Sequence, residues 1–244
     1  MRSFAFICAV LSLSSAVHAA EQCPAEVKLL LHPPTIQTVI TALGFEQGTA
    51  GRVYFFDTDK LDLLKQGVIV RVRQGVNNDL TVKVRVPGND KQADTSKLRM
   101  HFPCEIDQTG IGADTGYSVR QKYKFARVPE LGGDISTLLS EPQRRLLQEA
   151  GVSIDWGRVK RIADLKATKW ETSAQSPFRS LALELWEWPT GSILELSTKV
   201  GPDAGPSAYA ELQRLVTVKD LSLWNRQGAK TSIVLDMLTH LPAR

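Results

Sequence analysis

Alternating apolar and polar positions dominate the middle of the chain and predict β-strands. VIVRVRQ at 68–74 and DLTVKVRV at 79–86 place apolar residues at every second position, and a Gly- and Asn-containing turn joins them. Because successive side chains point to opposite faces of a strand, these residues give the hairpin one apolar face. Its other face carries the four cations Arg71, Arg73, Lys83 and Arg85. Like charges opposite each other destabilise a sheet by about 0.2–1 kcal/mol, so we expect an anionic partner on this face.

Short strands joined by turns are predicted over most of the remaining chain. The other predicted strands are 27–32, 52–59, 100–109, 117–128, 158–173, 178–188 and 192–200. Helical patterns cover 35–44, 59–67, 134–139, 141–151, 207–216 and 231–241. A polar loop is predicted at 87–97, and a glycine-containing turn at 109–116. This order predicts a mostly antiparallel sheet, with helices at the ends and in the long connections.

Charged residues recur on one face of about five predicted strands. Besides the hairpin, the residues that share a face are Glu26 with Lys28, Glu105 with Asp107, Arg120 with Lys122 and Lys124, and Glu195 with Ser197 and Lys199. In one architecture the charged face of an open sheet simply meets water. In the other, which the repetition favours, the sheet curls until its charged faces line a polar interior. Such an interior suits a polyanion, with its carboxylates holding a divalent metal.

Several of these stretches resemble the CYTH family, also called triphosphate tunnel metalloenzymes. VYFFDTDKLDLLKQGVIVRVRQ and TVKVRV are similar to its aromatic-rich strand, Asp-Thr, short helix, and Arg-x-Arg and Thr-x-Lys-x-Arg strands. LELWEWPTGSILELSTKV resembles its late paired strands, and AKTSIVLDML its Lys-bearing C-terminal helix. The likeness runs from about Glu26 to that helix. It implies an α+β fold: an eight-stranded antiparallel β-barrel or tunnel with helices packed outside.

The resemblance also implies a site made of two halves. Its phosphate-binding residues would be Lys28, Arg71, Arg73, Lys83, Arg85, Lys199 and Lys230, and its metal ligands Glu26, Glu105 and Glu195. The implied cofactor is Mg²⁺ or Mn²⁺. The family's first strand has the pattern Glu-x-Glu-x-Lys, but Pro24 stands in place of the first glutamate, and Ser197 interrupts the late Glu-x-Glu pair. We therefore expect a more complete phosphate half than metal half, and we assign no catalytic residue.

The first residues predict export of the chain. MRSFAFICAVLSLSSAVHA has an early cation, a short apolar run and small residues at the end, which is typical of a signal peptide cleaved after Ala19. An uncleaved anchor or a buried helix is the alternative. We expect 1–19 to be removed, 20–244 to form one domain, and the location to be periplasmic or extracellular. Cleavage leaves Cys23 and Cys104, which predict one disulfide, with two free thiols as the alternative.

Charge and motifs narrow the functions that remain. Removal of Arg2 lowers the formal net charge from +4 to +3, which gives no argument for nucleic acid, and no later stretch is apolar enough for a membrane span. Scattered histidines argue against zinc. Trp186 and Trp188 belong either to the core or to a tunnel mouth beside a base or sugar. Three functions stay open: a metal-dependent phosphohydrolase of tripolyphosphate, polyphosphate or an organic triphosphate, a non-catalytic binder of a phosphorylated small molecule or other polyanion, or a structural role.

Overall fold

The structure, a computed structural model, describes residues 22–32, 36–75, 77–87, 95–123, 133–175 and 177–239. Its strands are β1 (Ala25–Leu31), β2 (Thr49–Asp57), β3 (Val68–Gln74), β4 (Asp79–Pro87), β5 (Cys104–Thr109), β6 (Gly112–Lys122), β7 (Lys160–Gln175), β8 (Phe178–Trp188) and β9 (Gly191–Val200). Its α-helices are α1 (Ile36–Leu43), α2 (Asp62–Lys65), α3 (Ser96–His101), α4 (Glu141–Glu149), α5 (Gly205–Val218) and α6 (Lys230–Thr239). The predicted signal peptide, Lys124 and most of the predicted polar loop lie outside the described residues.

The strands close into a barrel in the order β1-β5-β6-β4-β3-β2-β7-β8-β9, and β9 pairs with β1 again. All neighbouring strands are antiparallel except β1 and β5, which run parallel where Ala25–Val27 faces Ile106–Gln108. The predicted closure is confirmed. The described part of the chain has nine strands rather than eight, and the sheet is mixed rather than purely antiparallel. Alternation in the sequence already indicates nine strands, but alternation says nothing about which strands become parallel neighbours.

The outward faces of the strands are apolar and carry helices. One cluster joins Val70, Val72 and Val82 of the hairpin to residues of α2, α3 and α4. A second cluster joins the outer faces of β1, β8 and β9 to α1 and α5, with Leu212 of α5 completely buried. Burial of these side chains is the main force that holds the helices on the barrel. The prediction of helices packed outside therefore holds for these five.

The inward faces change character along the barrel axis. At the end where β1, β5 and β8 begin, they carry the charged residues. At the other end they are apolar, and Phe55, Trp186 and Ile193 pack there against Ile233 and Val234 of α6. Helix α6 thus closes one end of the barrel by packing on its interior face. This corrects the prediction that helices lie only outside, because the inner faces are too apolar at this end to remain uncovered.

Two local predictions are also wrong. Residues predicted as a loop and as the start of a strand form α3, whose single buried side chain, Leu98, gives too weak a periodic signal. The predicted turn 109–116 shortens to Gly110 and Ile111, and 112–116 join β6 because β5 provides the hydrogen-bonding edge. Among the described helices, none combines the length and apolar character that a membrane span requires.

A disulfide joins Cys23 to Cys104, as predicted, and ties the start of β1 to the start of β5 across 81 residues of sequence. It lies beside a parallel pairing of only three residues on each strand. Replacing both cysteines with serine should lower the free energy of unfolding by about 4–5 kcal/mol, because a long loop in the unfolded chain loses its constraint. Urea titration of the variant and of the reduced wild type measures this, and equal midpoints for oxidised and reduced protein would contradict it.

Candidate functional site

The charged half of the barrel interior encloses a cavity of about 880 Å³. Its lining contains ten lysine or arginine side chains against six aspartate or glutamate side chains, a surplus of four positive charges. All the residues predicted for phosphate contact line it: Lys28, Arg71, Arg73, Lys83, Arg85, Lys199 and Lys230. So do the predicted metal ligands Glu26, Glu105 and Glu195. Of the two architectures that the sequence left open, the chain forms the one in which the sheet closes around its charged faces.

Three carboxylates form a cluster in this cavity. Glu26, Glu105 and Asp107 each place an oxygen atom within 4.8 Å of the other two. The parallel pairing of β1 and β5 makes Glu26 and Asp107 direct neighbours, and Glu105 lies two residues away on the same face. Asp107 was not among the predicted ligands, although its shared face with Glu105 was visible in the sequence. Glu195 lies apart from this cluster, with its carboxylate 3.0 Å from Lys230 Nζ.

Asp107 is the most enclosed member of the cluster and is only 3% exposed. Lys83 Nζ lies 2.5 Å and Arg85 Nε 3.2 Å from its carboxylate, and Lys28 donates to its other oxygen. Burial alone would raise the pKa of Asp107, but these three cations hold it far below its usual range. Burial also lowers the pKa of Lys83, helped by the like charge of Lys28. Asp107 is therefore an anion that holds three cations together in the described structure.

The other two carboxylates of the cluster also have cationic partners. Lys28 Nζ is 2.8 Å from Glu26, and Lys199 Nζ is 2.6 Å from Glu105. Burial would raise the pKa of Glu26, yet the Lys28 ammonium lowers it to about 2. In number and spacing, the three carboxylates fit one Mg²⁺ or Mn²⁺ ion, since both prefer oxygen ligands. The cations that neutralise them would have to move to another anion before all three could bind an ion.

Arg71 differs from these residues because it has no ion-pair partner within the described ranges. Its Nε is buried and has no hydrogen-bond acceptor there. By contrast, Arg73 donates from Nε and Nη2 to Asp79 at 3.1 and 2.7 Å. Burial, together with the charge of Arg73, lowers the pKa of Arg71 to about 10, so its guanidinium stays protonated at neutral pH. A buried donor without an acceptor is costly, and Arg71 Nε therefore has the chemistry to donate to an anion in the cavity.

Lys230 closes the inner end of the cavity, where α6 begins. It is 4% exposed, and its Nζ lies 2.6 Å from Glu184 and 4.2 Å from the centroid of the Trp186 ring. Burial would raise the pKa of Glu184, but the Lys230 charge lowers it to about 2. Trp186 and Trp188 are 1% and 8% exposed, so they belong to the core rather than to a mouth. The site is thus a deep, cation-rich cavity with its aromatic contact at the inner end.

Because Gly116 has no side chain, the Lys83 side chain can pass directly over its Cα atom. A Cβ atom at Gly116 would lie 2.1 Å from Lys83 Cε and 2.8 Å from its Nζ. We expect Gly116→Ala to move the Lys83 ammonium away from Asp107, because the end of a lysine can shift while the backbone stays. Affinity for tripolyphosphate should fall about tenfold with a stability change of about 1 kcal/mol or less.

Calorimetry and thermal denaturation test this prediction for Gly116. Gly133→Ala is the control, because a Cβ at Gly133 meets no atom within 4 Å. If both alanine variants bind tripolyphosphate as tightly as the wild type, Lys83 does not contact the anion.

The chain thus forms a closed barrel around a polar, cation-rich cavity. No family model and no curated protein matches the chain in sequence. In structure it is similar to HpAC1 of Hippeastrum, a candidate adenylyl cyclase described with a dominant triphosphatase activity. That comparison has a TM-score of 0.58 at 17% identity and covers 89% of this chain and 97% of HpAC1. A candidate adenylate cyclase of Bacillus halodurans gives a TM-score of 0.57 at 16% identity, covering 87% and 97%. The chain therefore shares the fold of these two proteins, in agreement with the CYTH-like fold that its sequence resemblance implied.

Proposed function

We propose that the barrel binds a linear triphosphate or polyphosphate and hydrolyses its terminal phosphoanhydride bond. The observation that carries this proposal is Arg71, whose buried Nε has no hydrogen-bond acceptor among the described residues, in a cavity with a surplus of positive charge. Phosphate oxygens match a guanidinium with paired, charge-assisted hydrogen bonds. The triphosphatase activity described for HpAC1, which has a similar fold, supports the same reaction class.

In this reaction some residues would bind the phosphate chain, and others would stabilise the negative charge that develops on the leaving oxygen. Arg71, Lys83 and Arg85 would donate to non-bridging phosphate oxygens and hold the chain in place. Water attacks the terminal phosphorus, the bond from that phosphorus to the bridging oxygen breaks, and its electron pair leaves with the remaining chain. The proton of the attacking water passes to solvent. Nearby cations stabilise the negative charge that develops on the leaving oxygen.

A divalent metal would be held by Glu26, Glu105 and Asp107. When bound, Mg²⁺ or Mn²⁺ would neutralise phosphate oxygens and so assist attack on phosphorus. In the described structure each of these carboxylates has a lysine or arginine partner. A phosphate chain that takes over those cations leaves the carboxylate oxygens free, so the anion and the ion would bind together.

Phosphate release from tripolyphosphate tests the proposed reaction. We expect turnover by the wild type with Mg²⁺ or Mn²⁺, loss of turnover with a chelator, and a large loss in Arg85→Gln. Arg214→Gln is the control, because Arg214 is exposed on α5 and, among the described residues, forms its ion pair with Glu211 alone. If the wild type releases no more phosphate than Arg85→Gln, the proposed hydrolysis is wrong.

A non-catalytic binding protein is the second candidate. Pro24 and Ser197 occupy positions where the resemblance implies carboxylates, and the remaining carboxylates are already ion-paired. This function predicts tight tripolyphosphate binding that a chelator leaves unchanged, with no product formed. Calorimetry followed by a phosphate assay on the same sample separates the two candidates.

We also propose that the protein works outside the cytoplasm. The disulfide supports this location, because such bonds persist in oxidising compartments. Mass spectrometry of protein expressed with its own N-terminus should find a mature chain that begins at Ala20. An intact N-terminus, with the protein retained inside the cell, would contradict export.

A further inference from the structure

Cationic residues also surround the open end of the cavity. Four residues form this rim, which we call the outer rim: Arg120 of β6, Lys169 of β7, Arg179 of β8 and Lys199 of β9. They lie at the same end of the barrel because β6 and β9 end there, β8 begins there, and Lys169 pairs with Thr49, the first residue of β2, which runs in the same direction as β8. Arg120 and Lys199 have half or more of their side chains exposed, and Arg179 is exposed as well. The positive charge therefore continues from the buried site to the protein surface.

Two arginines of the outer rim are available to an additional anion. Lys169 and Lys199 are neutralised by Glu171 and Glu105, at 2.5 and 2.6 Å. Arg179 has no ion-pair partner among the described residues. Arg120 lies 3.6 Å from Asp79, whose carboxylate already accepts two shorter hydrogen bonds from Arg73. The outer rim, like the interior of the cavity, therefore carries more positive than negative charge.

The cavity is also large for three phosphates. Its volume of about 880 Å³ is near the upper end of the roughly 300–1,000 Å³ typical of pockets that enclose drug-sized ligands. A nucleoside on the triphosphate could fill the remaining space, but proteins hold exposed bases largely by stacking on aromatic rings. Among the described lining residues, the single aromatic one is Trp186, which is buried at the opposite end beneath Lys230. The rim therefore has the chemistry to bind phosphate and lacks the chemistry to bind a base.

We propose that the substrate class is linear polyphosphate longer than three residues, and that Arg120 and Arg179 bind the part of the chain that projects from the cavity. This inference rests on the proposed function, because it needs the chain terminus to bind near Arg71. It makes Arg120 and Arg179 specificity-determining residues for chain length. A long polyanion also gains from the field of the rim as it approaches, which raises its association rate.

Calorimetry at one fixed ionic strength tests this inference with tripolyphosphate, ATP and a long-chain linear polyphosphate whose concentration is expressed as chain ends. Ionic strength is fixed because exposed charges are strongly screened. We expect the wild type to bind the long chain at least tenfold more tightly than tripolyphosphate, and ATP no more tightly than tripolyphosphate. In Arg120→Gln and Arg179→Gln, the ratio of long-chain to tripolyphosphate affinity should fall by about threefold to tenfold. Arg214→Gln should keep the wild-type ratio.

The outcomes separate this inference from the proposed function. Equal wild-type affinity for tripolyphosphate and the long chain would overturn the inference while leaving triphosphate binding intact. Tighter binding of ATP than of tripolyphosphate would also overturn it, because the nucleoside would then be recognised. If none of the three anions binds, the proposed function fails as well. An unchanged affinity ratio in both glutamine variants would show that the two arginines do not contact the projecting chain.

Discussion

Replacing Arg71 with methionine is expected to stabilise the ligand-free protein and to remove most of its affinity for tripolyphosphate. Arg71 Nε is buried without a hydrogen-bond acceptor among the described residues, and burial together with the like charge of Arg73 lowers the pKa of its guanidinium to about 10. A methionine of similar length removes the cost of that charge, so the free energy of unfolding should rise by about 1–2 kcal/mol. Loss of a paired guanidinium–phosphate contact should weaken binding about 100-fold.

Thermal denaturation and calorimetry on the same samples measure these two opposite effects. A purely structural arginine would give the reverse pattern, with lower stability and no change in binding. Arg214→Met is the matched control, because Arg214 is exposed on α5 and its partner Glu211 is a neighbour on the same helix. If Arg71→Met is less stable than the wild type and binds tripolyphosphate equally well, Arg71 is not the primary anion contact.

Asp107→Asn is expected to destabilise the protein, whereas Arg71→Met is expected to stabilise it. The substitution leaves Lys28, Lys83 and Arg85 around a neutral amide, and breaking such a buried cluster costs about 3–5 kcal/mol of unfolding free energy. Tripolyphosphate should restore part of this loss, because it supplies the missing negative charge. The ligand-induced rise in melting temperature should therefore be larger in the variant than in the wild type.

Asp164→Asn provides the matched control for the aspartate variant. Asp164 also pairs with an arginine, Arg52, but both side chains are more than one-third exposed. That substitution should cost about 1 kcal/mol or less. A stability of Asp107→Asn equal to that of the control would mean that Asp107 does not hold the three cations together.

The carboxylate cluster also sets how stability depends on pH. Glu26 ionises with a pKa of about 2 in the folded protein against 4.5 when unperturbed, and the pKa of Asp107 is lowered as well. A carboxyl group with a lowered folded pKa contributes stability above its unfolded pKa, and that contribution is lost as pH falls through the folded value. Wild-type stability should therefore stay level down to about pH 5 and decline between about pH 4.5 and 2. Asp107→Asn should decline less over this interval.

Which faces of the strands are charged could be predicted from the sequence, but which strands become neighbours could not. Alternation correctly placed Arg71, Arg73, Lys83 and Arg85 on one face, and the closed barrel turned that face inward. The contact between Glu26 and Asp107 depends on a parallel pairing of strands that are far apart in the chain. Such a pairing leaves no periodic signal, so the sequence shows that Asp107 shares a face with Glu105 but not that it lies beside Glu26.

The position of Glu195 along the barrel also depends on strand pairing and could not be predicted from the sequence. The register of β1 and β9 aligns Leu30 with Glu195, which brings Glu195 to the apolar end beside Lys230 rather than to the other carboxylates. From the sequence, Glu195 and Glu26 looked equivalent, because each is an acid on a charged strand face. The role of Gly116 is also visible only in three dimensions, since it depends on the path of a lysine from a neighbouring strand.

Among the described residues, helix α6 closes one end of the cavity, so that the cavity is a pocket rather than a passage. Its Ile233 and Val234, with Phe55 and Trp186 of the barrel, fill the end beyond Lys230 in the described structure. Under the proposed function, a long phosphate chain would therefore reach Arg71 by its terminus, and bonds in the middle of the chain would stay outside. Cleavage would then proceed from the ends, and a ring of phosphates, which has no terminus, would be resistant. Products would leave by the opening through which the next chain enters.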